Sequence, residues 1–190
     1  SFANKLNTNA PHQYYDGVTA ATPLDAYKFR NSITNEEFFS PAGLQDKNWQ
    51  AWASINFSFL IGGLFLLYRK LITWHLPVSY LTTLGVLSLF FYDGGSSESL
   101  GSPTFTLFTG ASMLTAFFIA TDPVTSPGHR LGLLVFGAGT GLIVFIIRAW
   151  GAYPEGVAFA ILLMNATTPL IDQVFSLRER PPKKPTVKSS

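Results

Sequence analysis

Asn48-Trp-Gln-Ala-Trp-Ala-Ser-Ile-Asn-Phe-Ser-Phe-Leu-Ile-Gly-Gly-Leu-Phe-Leu-Leu-Tyr68 carries no charge anywhere along its length. As a helix rising about 1.5 Å per residue it covers the roughly 30 Å hydrocarbon layer of a bilayer. Four further apolar runs follow: Leu71–Tyr92, Leu100–Thr121, Leu131–Ile147 and Gly156–Ile171. In the second, His75 lies near the start and Pro77 falls in the first turn or kinks it. Trp49, Trp52, Trp74 and Trp150, with Tyr68, Tyr92 and Tyr153, lie at or near the ends of these runs, where amphipathic rings meet lipid headgroups. The sequence therefore predicts an all-α integral membrane protein, a bundle of about five transmembrane helices over residues 48–173. A polar N-terminal arm (1–47) precedes it and a basic tail (174–190) follows.

Composition agrees. Hydrophobic residues make up 47% of the chain and charged ones 13%, against about 25% charged in typical globular domains. Zero cysteines exclude a disulfide, a Cys-ligated iron–sulfur cluster and a thiolate zinc site. His12, His75 and His129 show no metal-ligand spacing. A net charge of +2 without a basic stripe gives no reason to expect a nucleic-acid partner. The chain opens on Ser1 with no basic-then-apolar leader, and is expected to be a piece of something longer.

With an odd number of spans, one side receives Arg69, Lys70, Arg130 and the tail residues Arg178, Arg180, Lys183, Lys184 and Lys188. The other receives Lys5, Lys28, Arg30, Lys47 and Arg148 with most of the acids, among them Asp16, Asp93, Glu98 and Glu155. The positive-inside rule then puts the tail in the cytoplasm and the arm outside.

Within the arm, Asp16-Gly-Val-Thr-Ala-Ala-Thr-Pro-Leu24 gathers two hydroxyls and a carboxylate into a segment with nothing bulky to bury. Thr22 precedes Pro23 and, three positions on, Asp25, which has the form of a helix N-cap opening a short helix through about Asn31. A hydroxyl so placed also suits a phosphate bonded through that oxygen. Tyr14, Tyr15, Tyr27, Phe29, Phe38 and Phe39 surround the stretch, either as local packing and membrane contact or as a stacking surface for a planar ligand.

Polar groups inside the runs are few. Thr109, Thr115, Thr140, Thr167 and Thr168 read as helix–helix glue or as bonded to their own backbone. Asn56, Asn165 and the ionisable Asp122, Arg148 and Asp172 at the edges are candidates for a bundle interior or an ion pathway. Gly137-Ala-Gly-Thr-Gly141 reads as a close-packing face rather than a phosphate loop, because no strand precedes it. Thr121-Asp-Pro-Val-Thr-Ser-Pro127 is a stiff turn, and also the kind of broken helix end from which ion sites are built.

Three segments taken together, Asp16–Leu24, Phe117-Phe-Ile-Ala-Thr-Asp-Pro-Val-Thr125, and Tyr153-Pro-Glu-Gly-Val-Ala-Phe-Ala160 with Pro169-Leu-Ile-Asp172, resemble the RnfD/RsxD family. Gly62-Gly-Leu64, Thr73-Trp-His-Leu-Pro-Val-Ser79 and Ser102-Pro-Thr-Phe-Thr-Leu-Phe-Thr-Gly110 add to the likeness, which extends more distantly to NqrB. The family supplies membrane subunits of ion-translocating electron-transport complexes in bacterial inner membranes. The resemblance implies FMN joined to Thr22 by a phosphoester, installed by a flavin transferase that reads Asp16, Thr19 and Thr22; Ala20 stands where the pattern has glycine. It implies that this chain is the C-terminal half of a subunit built from two related helix bundles of the inverted-repeat type, and it leaves a second flavin open. It also implies other Rnf subunits as partners, electron exchange between ferredoxin and NAD, and coupled Na+ or H+ movement. On that view Thr22, Asp16, Thr19 and Pro23 form the cofactor site, and Asp122, Asn56, Asn165 and Asp172 are candidates for the coupling pathway. The rival expectations are an NqrB-like subunit, a transporter half without redox function, and a structural anchor.

Overall fold

The computed structural model describes residues 22–29, 49–92 and 102–179, and among them every regular element is helical. We label them α1 (Pro23–Lys28), α2 (Trp49–Tyr68), α3 (His75–Phe90), α4 (Pro103–Phe108), α5 (Ser112–Leu114), α6 (Arg130–Trp150) and α7 (Val157–Glu179). Three of these, α2, α6 and α7, are long and apolar enough to cross a membrane, and α3 is a shorter apolar helix of 16 residues.

Each apolar run becomes helical, with boundaries set by local chemistry. The first ends as expected at Tyr68, where the amide of Lys70 donates to the carbonyl of Leu67 and that of Leu71 to Leu66. This is a Schellman closure, with Lys70 in the left-handed conformation at φ 56° where glycine is more usual. The closure takes up the start of the second run as a turn, so α3 begins at His75 and holds Pro77 within its first turn, where no helical N–H is lost. The last two helices are longer than the runs that predict them. Arg148 does not stop α6, because its charge is met from inside the bundle. Pro169 sits within α7, where the hydroxyls of Thr167 and Thr168 both donate to the Met164 carbonyl in the turn that proline weakens.

The third run differs most. It is not one continuous helix: α4 stops at Phe108, Thr109 is extended, Gly110 turns left-handed at φ +58°, and the chain restarts as α5 and a π-helical turn over Thr115–Ile119. Hydropathy alone is blind to this interruption, since every residue of it is uncharged.

Close backbone approach organises the bundle centre. A Cβ added at Gly137 would lie 2.8 Å from the carbonyl oxygen of Leu76, and one at Gly141 would lie 2.9 Å from that of Tyr80. The hydroxyl of Ser79 donates to the carbonyl of Leu134 across the same seam at 2.6 Å. The small-residue face expected on α6 is thus the surface that meets α3. In lipid, where apolar burial drives little, this contact of small residues holds helices together. Around it lie Tyr80, Leu84, Met113, Phe117, Val144, Phe145 and Ala160. Gly137→Val is expected to cost about 2 kcal/mol, within the roughly 1–3 kcal/mol range of overpacking, because the atom it strikes is backbone and cannot rotate away. The thermal midpoint in detergent checks this, and an unchanged midpoint refutes the seam.

Candidate functional site

A helix interrupted inside a membrane frees backbone groups that lipid cannot satisfy, at several kcal/mol each if left bare. Around the Thr109–Ala111 interruption most of these groups have side-chain partners. The Thr109 hydroxyl donates to the carbonyl of Phe105, and that of Ser112 is shared between the carbonyls of Thr106 and Thr109 at 3.0 and 3.1 Å. Asn56 uses both amide protons, one on Trp52 of its own helix and one on the carbonyl of Gly110 at 3.2 Å. Thr115 donates to Ala111 at 2.6 Å, and the amide of Ala111 donates to Glu155 at 2.9 Å. The π turn that follows closes with the Ala120 amide on the Thr115 carbonyl at 2.9 Å.

Arg148 binds this region together. Its Nε and Nη2 donate to the Glu155 carboxylate, the two Nη2 contacts being 2.9 and 2.8 Å. Its Nη1 donates to the Thr106 carbonyl and the Ser112 hydroxyl, both at 3.0 Å. A guanidinium has five N–H groups, and all are used. Glu155 is as fully engaged, since it also accepts from Ala111 and Gly156. The Arg148 side chain is 6% exposed and that of Glu155 34%, so the pair is held by directed bonds in a largely desolvated place. The sequence identifies Arg148 as an ionisable edge residue, but not its partner. The available signal is two opposite charges seven positions apart across Gly151–Pro154, a spacing that folds them together only if the chain turns back.

Unused polar capacity lies beside the interruption. Asn56 is 1% exposed and its Oδ1 has no partner. The buried hydroxyl of Tyr80 sits near Ser112 and Thr115 without a hydrogen bond. Among the described residues Asn165 Oδ1 and His75 Nδ1 are likewise buried and unpaired.

The arm helix docks at this same end of the bundle. Thr22 is its N-cap, extended at φ −68° and ψ 156°, with Oγ1 accepting the Asp25 amide at 3.2 Å. Pro23 fills the first turn and is buried with Leu24 and Tyr27. The helix ends at Lys28, before the expected Asn31. Lys28 reaches the last turn of α6, its Nζ donating to the carbonyls of Ile147 at 3.2 Å and Arg148 at 2.8 Å. Burial holds that ammonium below its ordinary 10.5. The Tyr27 ring packs on Phe105 of α4 with centroids 5.0 Å apart.

Thr22 is half-buried, and its Oγ1 serves the cap as an acceptor. An ester oxygen keeps that capacity, so a phosphoester on Thr22 is compatible with the cap. Asp16 and Thr19 lie outside the described residues. Asp122 and Asp172 sit at the opposite end, about 30 Å away by the length of α6. There Asp122 accepts from the Val124 amide and the Thr125 hydroxyl, and Asp172 from the Gly128 amide. Both brace the Thr121–Pro127 turn beside a cavity of about 230 Å³ lined in part by Thr73, Thr121 and Ser126. The proposed pathway residues are therefore split, Asn56 at the interruption and the two aspartates at the far turn. No cluster of three or more His, Cys, Asp or Glu residues occurs among the described residues.

A chain whose described residues are all helical, with three helices long and apolar enough to cross a membrane, is a multi-pass membrane protein. Residues 1–180 match the NQR2, RnfD, RnfE family, and the chain belongs to it. It is 48% identical over 179 residues to a protein of Ectopseudomonas mendocina named as a subunit, the one lettered D, of the ion-translocating oxidoreductase complex, covering 90% of this chain and 50% of that one. Proteins of the same name from Pseudomonas aeruginosa and Cellvibrio japonicus are 50% and 47% identical, over 83% and 95% of this chain and 46% and 51% of theirs. The chain spans about half the length of these relatives.

Proposed function

We propose that this chain is the flavin-carrying portion of an RnfD-type subunit in a bacterial inner membrane. FMN is bonded through its phosphate to Thr22, and the complex passes electrons between ferredoxin and NAD-linked carriers while moving Na+ or H+. The name shared by the relatives supports the complex. The cofactor reading rests on one observation: Thr22 presents an oxygen at the head of an ordered helix that is docked at the Arg148 end of the bundle.

FMN, when attached, supplies one- and two-electron redox chemistry. The chain's own residues provide the rest. Thr22 tethers, Asp16 and Thr19 are read by the transferase, Pro23 and Leu24 seat the helix start, and Tyr27 and Lys28 hold it to α4 and α6. The arm faces outward and the basic tail inward, so the transferase meets Thr22 outside the cytoplasm. Asn56, with unused capacity at the interruption, is the coupling-pathway residue best placed relative to the arm; Asn165, Asp122 and Asp172 lie farther along. A transporter half without redox function is the second reading, favoured by the broken helix alone.

Co-expression of the full subunit with a flavin transferase separates the two. The flavin reading expects fluorescence that survives denaturing electrophoresis and a mass gain of one FMN on the peptide holding Thr22, with both lost completely in Thr22→Val. An unmodified Thr22 in native membranes rejects it and leaves the transporter reading.

A further inference from the structure

We infer that Lys28 is a positioning residue that clamps the arm to the interruption between α4 and α5, with Arg148 as the joint between them. The functional consequence rests on the flavin reading of Thr22; the clamp itself does not.

The last carbonyls of a helix have no intrahelical donor and carry its negative end. The carbonyl of Arg148, two residues before the end of α6, is one of these, and Lys28 supplies its donor at 2.8 Å. The same residue sends its side chain the other way, into the interruption, where it holds Thr106, Ser112 and Glu155. One residue thus receives the arm on its backbone and grips the broken helix with its guanidinium. A second anchor runs parallel, because Tyr27 packs on Phe105 of α4, the helix that ends just before the interruption. With Thr22 one short helix from Lys28, its oxygen has a defined place relative to the break.

Lys28 is not part of the bundle core, so removing its amine should leave the bundle folded. Phe29 is 62% exposed, so a genetically encoded spin-labelled amino acid placed at position 29 reports the arm alone, whatever cysteines the rest of the complex carries. The test uses the full complex co-expressed with the transferase. In Lys28→Met the label is expected to pass from immobilised to mobile, while the thermal midpoint of the bundle and the flavin mass on Thr22 stay unchanged. Electron transfer is expected to fall about tenfold or more, since small displacements of a reacting group carry effects of that size. Lys28→Arg, which still donates to both carbonyls, restores immobilisation and most of the rate. A label equally immobile in Lys28→Met overturns the clamp, and a mobile label with an unchanged rate overturns the positioning role. Bare Thr22 in the wild-type chain, with immobilisation that still depends on Lys28, removes the flavin reading and upholds the clamp.

Discussion

Glu155→Ala is expected to destabilise the bundle by about 3 kcal/mol, the low end of what breaking a buried ion pair costs. The low end applies because the Glu155 side chain keeps 34% of its exposure, so water screens part of the loss. Two consequences add. Arg148, 6% exposed, loses the partner of its Nε and Nη2 groups, and the amide of Ala111 loses its acceptor in a place lipid cannot replace. Denaturant or thermal unfolding in detergent reads the change. The paired variant Arg148→Met with Glu155→Leu is expected to recover part of it, since an apolar pair leaves no bare charge. A neutral Glu155→Ala would mean that the ion pair does not hold the interruption.

Gly110→Ala is the second large effect, expected at about 3 kcal/mol from two sources. The left-handed conformation at φ +58° costs a residue with a Cβ about 1 kcal/mol or more. The added carbon would also overlap Oε2 of Glu155 and come within 2.8 Å of Nη2 of Arg148, forcing the pair apart. The overlap with the carboxylate gives a specific check. Truncating Glu155 removes the atom struck, so the double variant Gly110→Ala/Glu155→Ala should cost clearly less than the sum of the single ones. Strict additivity would show that the glycine answers only to backbone conformation.

These two residues also mark where sequence reasoning runs out. The apolar runs, the aromatics at helix ends and the Thr22 cap are legible because each is a local signal: length, position at a run end, and the Thr-Pro-x-Asp step. The seam at Gly137 and Gly141 is legible for the same reason, as small residues at one-turn spacing. The interruption at Gly110 is not, because hydropathy averages over it and nothing charged lies within it; the charges that support it sit on another helix end. Pairing Arg148 with Glu155 requires knowing that α7 folds back on α6. Docking of Lys28 on α6 spans more than a hundred positions, and no periodicity carries information over that distance. Asp122 and Asp172 stand out in the sequence as acids near membrane ends, but each is engaged with a turn amide.

The closed Arg148–Glu155 pair has an electrical consequence. A lone charge carried through a membrane potential does work of about 2.3 kcal/mol per 100 mV, whereas a matched pair moving as a unit does almost none. While the two stay locked, the end of α6 carries no net charge for a membrane potential to act on. Neutralising Glu155 alone would leave the Arg148 charge there uncompensated.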